Sequence, residues 1–231
     1  MTSKIQKKRL GNTVRKVSSE ELKQINLPKP DLKGGKSVSE ALKARRTVRE
    51  ISVKKISMQL LSNLLWAAWG VNSKIGPFGF PGRTSASASN SQEIDLYVAL
   101  REGIYLYDPS RHALDPVVKG DFRILAINPG QANLIVKAPV QLIYVADVHR
   151  LTHTSGFQEP GLHDPEVQKS YYFVDTGLIA ANVYLFAASR NLAAWFHNCD
   201  KSGLKVKLKL RPEQRVLFGQ TVGYPLKRKS V

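Results

Sequence analysis

Apolar residues recur with helical spacing in three parts of the chain. Over residues 57–70 they fall every three to four positions, with Ser57 before them as a capping residue and Gly70 after them as a terminator. A shorter helix is predicted over residues 37–46 and a longer one over residues 171–190. The long segment is apolar around most of its circumference, so it must be buried at the centre of the fold or at a subunit interface.

Other segments alternate or run apolar over strand-like lengths. Residues 94–100 alternate, and a turn leads from them into a second short strand at residues 103–107. Residues 140–146 are almost continuously apolar, which is typical of a strand buried on both faces. A short strand or turn is predicted at residues 192–196 and a last strand at residues 215–224. These elements predict an α+β fold with a mixed central sheet of four or five strands, flanked by helices, and a long buried central helix.

The first 36 residues differ from the rest. They are polar, rich in lysine and interrupted by Pro28, Pro30, Gly34 and Gly35. We interpret residues 1–36 as an extended or partly disordered N-terminal arm and residues 37–231 as one domain. A chain of 231 residues is long enough for that domain to bury a substantial core.

Composition restricts the compartment and the chemistry. One cysteine, Cys199, allows no intrachain disulfide and no cysteine-rich zinc site, and it fits a reducing compartment. An uninterrupted apolar run of about 18 residues is absent, which argues against a membrane span. The basic N-terminus is not followed by an apolar stretch, so it does not resemble a secretory signal. We therefore expect a cytoplasmic protein.

The net charge of +17 is concentrated at the two ends. Residues 1–55 hold 16 Lys or Arg against 5 Asp or Glu, and residues 201–231 hold 9 against 1, whereas the middle of the chain is close to neutral. This distribution fits a nucleic-acid footprint, two termini that converge on one phosphate, or solubilising tails. Charge alone does not separate the three.

Common catalytic motifs are missing. The sequence has no glycine-rich dinucleotide fingerprint after a strand, no phosphate-binding P-loop and no nucleophile elbow. His149 and His153 are four residues apart but lack a third ligand, so we expect no metal. Cys199 lies two residues from His197, a spacing that favours a plain buried thiol over a catalytic pair.

One cluster of residues does suggest a ligand. Arg45 and Arg46 lie at the end of the first predicted helix, and Thr47 and Arg49 follow directly. Arginine can bind a phosphate through two parallel hydrogen bonds, which lysine cannot do. The cluster therefore predicts an anion site that also offers a hydroxyl group.

These arginines belong to an ordered set of segments that resembles a known family. The segments are residues 45–49 (Arg-Arg-Thr-Val-Arg), 64–72, 83–94 (including Ser-Ala-Ser-Asn-Ser-Gln at 87–92), 103–108, 138–139, 175–182 and 223–225 (Gly-Tyr-Pro). In this order they resemble the nitroreductase superfamily of FMN-dependent oxidoreductases, and within it the SagB-type branch of azoline dehydrogenases. The resemblance covers roughly residues 38–225 and implies a nitroreductase-like fold.

The resemblance also implies which residues bind FMN. The phosphate and the pyrimidine edge would be bound by Arg45, Arg46, Thr47 and Arg49. Ser87, Asn90 and Gln92 would lie beside the flavin and the subunit interface. The backbone of Phe196, His197 and Asn198 would face flavin N5 and the ring edge, and Gln131 would lie near the ring. The last phosphate ligands would be Lys227 and Arg228, after the Gly-Tyr-Pro segment. The resemblance implies no catalytic side chain, since the flavin itself carries the redox chemistry at N5.

The activity implied by the resemblance is a ping-pong cycle in a homodimer with FMN at the subunit interface. NAD(P)H would reduce the flavin, and a small electron-poor acceptor such as a nitroaromatic or a quinone would take the electrons. The acceptor pocket would be shaped by residues 72–84 and 149–170. Three alternatives remain: an azoline dehydrogenase acting on a modified peptide, a flavin-binding module without turnover, and a nucleic-acid-binding protein that uses the basic arm. The last is disfavoured, and no membrane partner is expected.

Overall fold

A computed structural model describes residues 21–131, 138–154 and 160–226. Its helices are α1 (Val38–Ala44), α2 (Met58–Trp69), α3 (Val148–Thr152), α4 (Pro165–Ser189) and α5 (Lys201–Lys207). Its strands are β1 (Ile25–Asn26), β2 (Val71–Ser73), β3 (Gly82–Arg83), β4 (Ile94–Ala99), β5 (Gly103–Asp108), β6 (Ala113–Lys119), β7 (Val140–Asp147), β8 (Ala193–His197) and β9 (Gln214–Gly223). Short 3-10 turns lie at Pro77–Gly79, Ala88–Asn90, Arg123–Ala126, Pro129–Gln131 and Pro160–His163.

Seven of these strands form one sheet in the order β1-β6-β5-β4-β7-β9-β8, and β2 pairs with β3 in a separate ribbon. Every pairing among the described strands is antiparallel. The expectation of a mixed sheet was therefore wrong. The apolar run at residues 140–146 is buried on both faces because elements pack on both sides of an antiparallel sheet.

Strand β7 lies inside the sheet, between β4 and β9, and is buried along its whole length. Leu142 and Tyr144 point into the core beneath α2 and α4. Ile143 and Val145 point to the opposite face, where α5 and the Arg123–Ala126 turn cover the sheet. This arrangement confirms the sequence prediction of a strand with two buried faces and gives the fold three layers.

Helices α1 and α2 begin directly after Ser37 and Ser57, and α2 ends where Gly70 predicts, whereas α1 ends at Ala44, two residues before the predicted end. Ser37 and Glu40 form a reciprocal capping box at the start of α1. The Ser57 hydroxyl accepts a hydrogen bond from the Leu60 N–H at the start of α2, and Gly70 ends that helix. A side chain at Gly70 would collide with Trp66, whose nearest atom would be 2.4 Å from the added Cβ.

Helix α4 is the 25-residue central helix. It starts six residues before the predicted position, because Asp164 caps it and Pro165 occupies its first turn. By length and composition alone it could cross a membrane. In this fold it packs against α1, α2 and β8.

One face of α4 remains uncovered in the single chain. Phe173, Val174 and Leu178 expose 41%, 60% and 42% of their surface. Gly177 and Ala181 continue this exposed face by one turn. We call residues 173, 174, 177, 178 and 181 the apolar face of α4.

The described part of the N-terminal arm, residues 21–36, runs extended along the domain. Strand β1 pairs with β6 at one edge of the sheet. The Asp31 N–H donates to the Asn63 side chain at 2.8 Å, and the Lys36 N–H donates to the Ser189 carbonyl at 3.2 Å. These contacts fasten residues 25–36 to the sheet, to α2 and to α4 in turn.

Candidate functional site

The arginine segment (residues 45–49) lies beside β8, which is an edge strand of the sheet. Helix α1 ends at Ala44, and the backbone turns extended at Arg45. The Val48 N–H then donates to the Ala194 carbonyl at 3.0 Å. Val48 packs inward beside Ala193 and Trp195. With Val48 inward, the side chains of Arg45, Thr47 and Arg49 are directed to the exposed surface.

Tyr184 of α4 ties this segment to β8. Its hydroxyl accepts a hydrogen bond from the Phe196 N–H at 2.8 Å and lies 3.2 Å from the Thr47 hydroxyl. The Arg45 guanidinium lies 5.6 Å from the centre of the Tyr184 ring. One tyrosine therefore positions three of the predicted site residues. Sequence reasoning missed it, since nothing in the helical pattern separates Tyr184 from the other aromatic residues of α4.

The charges of the arginine segment are unpaired within the described part of the chain. Arg45, Arg46 and Arg49 are exposed, and none forms an ion pair with a described carboxylate. Arg46 folds back, and its Nη1 donates to the carbonyls of Lys43 and Arg45 at 2.8 Å each. Arg49 lies 5.4 Å from the centre of the Trp195 ring. Arg45 and Arg49 thus keep their hydrogen-bond donors available for an anion.

The C-terminal end of the described chain arrives at the same place. The Ser52 N–H donates to the Tyr224 carbonyl at 2.8 Å, and the Leu226 N–H donates to the Glu50 carbonyl at 2.9 Å. Leu226 therefore lies next to the arginine segment. Lys227 and Arg228, the predicted phosphate ligands that follow it, are outside the described residues.

At the turn after β8, backbone groups and not the His197 side chain are available to a ligand. His197 is buried, and its ring nitrogens lie 2.9 Å from the Asn198 carbonyl oxygen and 2.8 Å from the Thr221 hydroxyl. Burial lowers the pKa of His197, so the imidazole is neutral near pH 7. Asn198 is exposed, and its Oδ1 accepts from the Cys199 N–H at 3.0 Å.

The serine-rich loop (residues 85–93) holds three further predicted site residues, Ser87, Asn90 and Gln92. Ser89, Asn90 and Gln92 have φ angles of 47°, 53° and 51°. These lie in the left-handed region, which residues other than glycine and asparagine rarely adopt. The Ser87 hydroxyl accepts from the Gln92 N–H at 3.1 Å. The Ala88 N–H donates to the Asp175 carboxylate on α4 at 2.8 Å. These bonds stabilise the strained backbone.

The polar side chains of this loop bond mainly to protein. The Gln92 amide donates to the Pro81 carbonyl at 2.7 Å and to the Asn90 side chain at 2.9 Å, and it accepts from Arg83 Nε at 2.6 Å. Asn90 donates to the Pro77 carbonyl at 3.2 Å. Asn90 and Gln92 therefore fasten the loop to residues 77–83. Gln131, also predicted near the flavin ring, is not part of this loop and ends the Pro129–Gln131 turn.

Beneath the loop lies a pair of buried carboxyl groups that sequence reasoning missed. Glu93 accepts from the Ser91 hydroxyl at 2.6 Å. Burial, followed by the charge of Asp175, raises the pKa of Glu93 to about 8. Burial also raises the pKa of Asp175. The pair therefore holds a proton near neutral pH, while Asp175 anchors the loop through Ala88.

Within one chain the two halves of the predicted site are apart. The arginine segment meets α4 at Tyr184 and the serine-rich loop meets it at Asp175, a separation of about 13 Å along a helix axis. The apolar face of α4 lies in the same stretch of the helix. Among the described residues, no group of three or more His, Cys, Asp or Glu could hold a metal.

Comparison with known proteins gives consistent matches. The sequence pattern described as "Nitroreductase family" matches residues 42–224. A Methanocaldococcus jannaschii protein named as a nitroreductase is 30% identical over 190 residues, which cover 77% of this chain and 88% of that protein. A crystal structure described as a nitroreductase from Ralstonia eutropha JMP134 is 30% identical with a TM-score of 0.74, over 89% of this chain and 90% of that one. A Clostridium acetobutylicum structure named as an NADH oxidase is 20% identical with a TM-score of 0.53, over 84% and 90% of the two chains, and shows the fold alone.

Proposed function

The chain belongs to the nitroreductase family, and from that membership we propose that it is an FMN-dependent oxidoreductase. It would pass electrons from NAD(P)H to a small electron-poor acceptor such as a nitroaromatic compound or a quinone. No side chain would act as a catalytic acid, base or nucleophile, which fits the missing motifs. Bound FMN would supply the redox chemistry with its isoalloxazine ring.

The observation that carries this proposal is the pair of exposed arginines beside the end of the described chain. Arg45 and Arg49 have no carboxylate partner among the described residues. The described chain ends beside this segment at Leu226, and the next two residues in the sequence are Lys227 and Arg228. A phosphate monoester with nearly two negative charges suits such a cluster, because charge-assisted bonds from arginine are among the strongest hydrogen bonds in proteins.

The remaining residues would orient the ring. Tyr184 fixes the Thr47 hydroxyl, which would face the polar edge of the flavin. Phe196 and Asn198 would present backbone groups and one amide at the end of β8. The neutral His197 would support this turn from inside, through its contacts to Asn198 and Thr221.

We further propose that the enzyme is a homodimer. The predicted contacts at residues 45–49 and 87–92 are separated along α4 in one chain, and a second copy could bring its own loop to the first copy's arginines. The apolar face of α4 would then be covered. Exposed contiguous apolar surface of this kind commonly marks an interaction site.

Turnover separates an enzyme from a flavin-binding module. Purified protein should be yellow, and it should oxidise NADH or NADPH when a nitroaromatic compound or a quinone is added. Bound flavin without oxidation would contradict the enzyme and leave the binding module. Colourless protein that does not bind added FMN would contradict the cofactor as well.

Light scattering coupled to gel filtration tests the dimer. The wild-type chain should have twice the mass of one chain, and Leu178→Arg on the apolar face of α4 should be monomeric. Val206→Arg is the matched control, because Val206 is also an exposed apolar residue on a helix but lies on α5. A wild-type monomer, or a dimer that survives Leu178→Arg, would contradict this interface.

The SagB-type branch and cytoplasmic residence remain predictions. An azoline dehydrogenase would oxidise a thiazoline or oxazoline in a modified peptide to the aromatic azole. Mass spectrometry of an azoline-containing peptide after incubation would show a loss of two mass units if this activity is present. An unchanged peptide mass alongside rapid quinone reduction would favour the small-acceptor enzyme.

A further inference from the structure

A network of hydrogen bonds joins the N-terminal arm to α2 and β5, and His112, in the turn between β5 and β6, lies at its centre. The Ser62 hydroxyl of α2 lies 2.7 Å from His112 Nε2 and donates to the Pro28 carbonyl of the arm at 2.5 Å. The Tyr107 hydroxyl of β5 lies 2.9 Å from His112 Nδ1. The His112 carbonyl also accepts from the Leu27 N–H at 3.2 Å. We call residues 28, 62, 107 and 112 the His112 network.

The positions of the protons in this network follow from its chemistry. The Pro28 carbonyl can only accept, so the one proton of the Ser62 hydroxyl is directed to it. Ser62 must then accept from His112, which requires a proton on Nε2. In the neutral imidazole Nδ1 is therefore an acceptor, and Tyr107 donates to it. Every polar group of the network has a partner when His112 is neutral with its proton on Nε2.

A second proton on His112 disrupts this arrangement. Nδ1–H would point at the Tyr107 hydroxyl, which would have to turn its own proton away from its only partner in the described part of the chain. Burial raises the pKa of Tyr107, so the hydroxyl keeps that proton. Burial also lowers the pKa of His112, against the opposing effect of the Pro28 carbonyl. The stability that neutral His112 provides is therefore complete above its ordinary pKa of 6.5 and is lost as the pH falls through the folded-state pKa.

The charged groups near His112 do not favour an imidazolium. Arg111, beside it in the turn, pairs with Asp108 at 2.6 Å and with Asp115 on β6. Arg83, whose charge acts on the tyrosine of the network, adds a further positive charge on the β5 side. The groups that face the ring from α2 and from the arm are an uncharged hydroxyl and a carbonyl. No described carboxylate forms an ion pair with His112.

Residues 27–31 of the arm are the segment that this network fastens. Pro28 and Pro30 have no N–H to donate, so the segment has few backbone hydrogen bonds to hold it. The Leu27 side chain is buried in the core, and its N–H donates to the carbonyl of His112. Loss of the network should therefore loosen these residues before it affects the sheet.

We propose that His112 is a pH-sensitive switch for the N-terminal arm: the neutral imidazole holds residues 27–31 on α2, and the imidazolium releases them. Such a switch needs a titratable group at the junction between the segment that moves and the part of the fold that does not, and His112 bonds to both. Release would expose Leu27, while β4, β7 and β9 keep their own pairings. No residue of the network belongs to the predicted FMN-binding set, so the switch does not depend on the proposed function.

Nitrogen NMR of the imidazole in the purified full-length chain tests the proton assignment, with His112→Gln used to identify the signals. At pH 7.5 the proton should be on Nε2, and Nδ1 should have the chemical shift of an unprotonated nitrogen. Tyr107→Phe removes a hydrogen bond to the neutral form, so the pKa of His112 should rise relative to wild type. A proton on Nδ1, or a His112 pKa that is unchanged or lower in Tyr107→Phe, would overturn the proposal.

Hydrogen exchange followed by mass spectrometry tests the release. After correction for intrinsic exchange rates, a peptide covering residues 25–33 should open roughly tenfold more often at pH 5 than at pH 7.5, whereas β7 should not change. His112→Gln cannot ionise and should remove this pH dependence. The matched control is His153→Gln, which changes an exposed histidine after α3 and should retain it.

Tyr107→Phe provides a second reading if His112→Gln does not fold, because a higher His112 pKa should reduce the difference between the two pH values. Equal opening of residues 25–33 at both pH values in wild type would overturn the proposal. An unchanged pH dependence in His112→Gln or in Tyr107→Phe would do the same. These measurements need neither FMN nor NAD(P)H, so a failure of flavin binding or turnover would contradict the proposed function while leaving this result intact.

Discussion

The arginine segment and the serine-rich loop are built in opposite ways, although the sequence predicts that both serve one cofactor. The arginine segment is held to the sheet by the Val48 backbone and to α4 by Tyr184, and its charged groups remain exposed. The serine-rich loop is anchored at Asp175, and its amides bond to neighbouring protein groups. The first arrangement leaves donors available to a ligand, whereas the second uses them to maintain a strained backbone.

The predicted site residues therefore fall into two groups, those that would contact the ligand and those that stabilise the loop. Arg45 and Arg49 would act through their own side chains, so their loss should reduce ligand affinity. Asn90 and Gln92 act on residues 77–83, so their loss should first reduce stability. Substitutions in the arginine segment should therefore change ligand affinity, whereas substitutions in the serine-rich loop should change stability.

The largest expected effect is on cofactor affinity. Arg45→Ala combined with Arg49→Ala should weaken FMN binding about a hundredfold or more, because two charge-assisted hydrogen bonds of about 1.5–3 kcal/mol each are lost. The free energy of unfolding without FMN should change by less than about 1 kcal/mol, since both side chains are exposed. The double variant Arg101→Ala, Arg215→Ala, which removes the same charge elsewhere, is the control. Fluorescence titration and urea unfolding provide the two measurements.

The next largest expected effect is on the free energy of unfolding and not on cofactor affinity. Asp175→Ala should lower the free energy of unfolding by about 1–3 kcal/mol, because the half-buried Ala88 N–H loses its acceptor. Glu166→Ala on the same helix should cost less than about 1 kcal/mol, since its ion pair with Lys169 is exposed. Equal urea midpoints for the two variants would contradict the anchoring role of Asp175.

Tyr184→Phe tests the connection of the arginine segment to the fold. Removing the hydroxyl leaves the Phe196 N–H without its acceptor and should cost about 1–2 kcal/mol of unfolding free energy. Tyr172→Phe, also on α4, should cost less, because the Tyr172 hydroxyl makes no hydrogen bond to a described residue. Thermal unfolding that is unchanged in Tyr184→Phe would show that Tyr184 is only a packing residue.

Glu93→Gln should alter the pH dependence of stability. The folded-state pKa of Glu93 is raised to about 8 from an ordinary value of 4.5, so the stability that its protonated form provides is complete below pH 4.5 and is lost as the pH rises towards 8. The slope contributed by one such group is at most about 1.4 kcal/mol per pH unit. Glutamine cannot ionise, so the variant should lack this slope and gain stability relative to wild type at pH 8. Parallel stability profiles from pH 4.5 to 8 would contradict the buried proton.

Arg46→Ala should have the smallest effect. Arg46 Nη1 already bonds to two backbone carbonyls of its own helix end, so we expect FMN affinity to change by less than about threefold, within the range of ordinary surface substitutions. A loss as large as that of Arg45→Ala would show that the Arg46 side chain leaves these carbonyls when the ligand binds.

Local signals in the sequence predicted the elements well. Ser57 and Gly70 gave the bounds of α2, and the unbroken apolar run predicted the double burial of β7. Strand β6 was missed because Pro116 and Asp115 obscure its pattern, and it pairs with β5 across an irregularity that accommodates the proline. The prediction of a mixed sheet was wrong. Burial of a strand such as β7 on both faces does not require parallel pairing, because separate elements can cover each face of an antiparallel sheet.

Long-range partners could not be predicted. Tyr184 and Thr47 are 137 residues apart, and Ala88 and Asp175 are 87 residues apart. No periodicity links such pairs, and only the fold brings them together. The motif order assigned residues to the predicted site, whereas the structure was needed to show that Gln92 accepts from Arg83 and that Arg46 folds back.

The central claim, that the arginine segment binds the phosphate of a flavin, is tested most directly by comparing FMN with riboflavin, which lacks the phosphate. The dissociation constants of both should be measured by fluorescence titration for wild type and for the Arg45→Ala, Arg49→Ala double variant. We predict that wild type binds FMN at least a hundredfold more tightly than riboflavin and that the double variant loses most of this preference. Equal affinity of wild type for the two compounds, or an unchanged preference in the double variant, would contradict the claim.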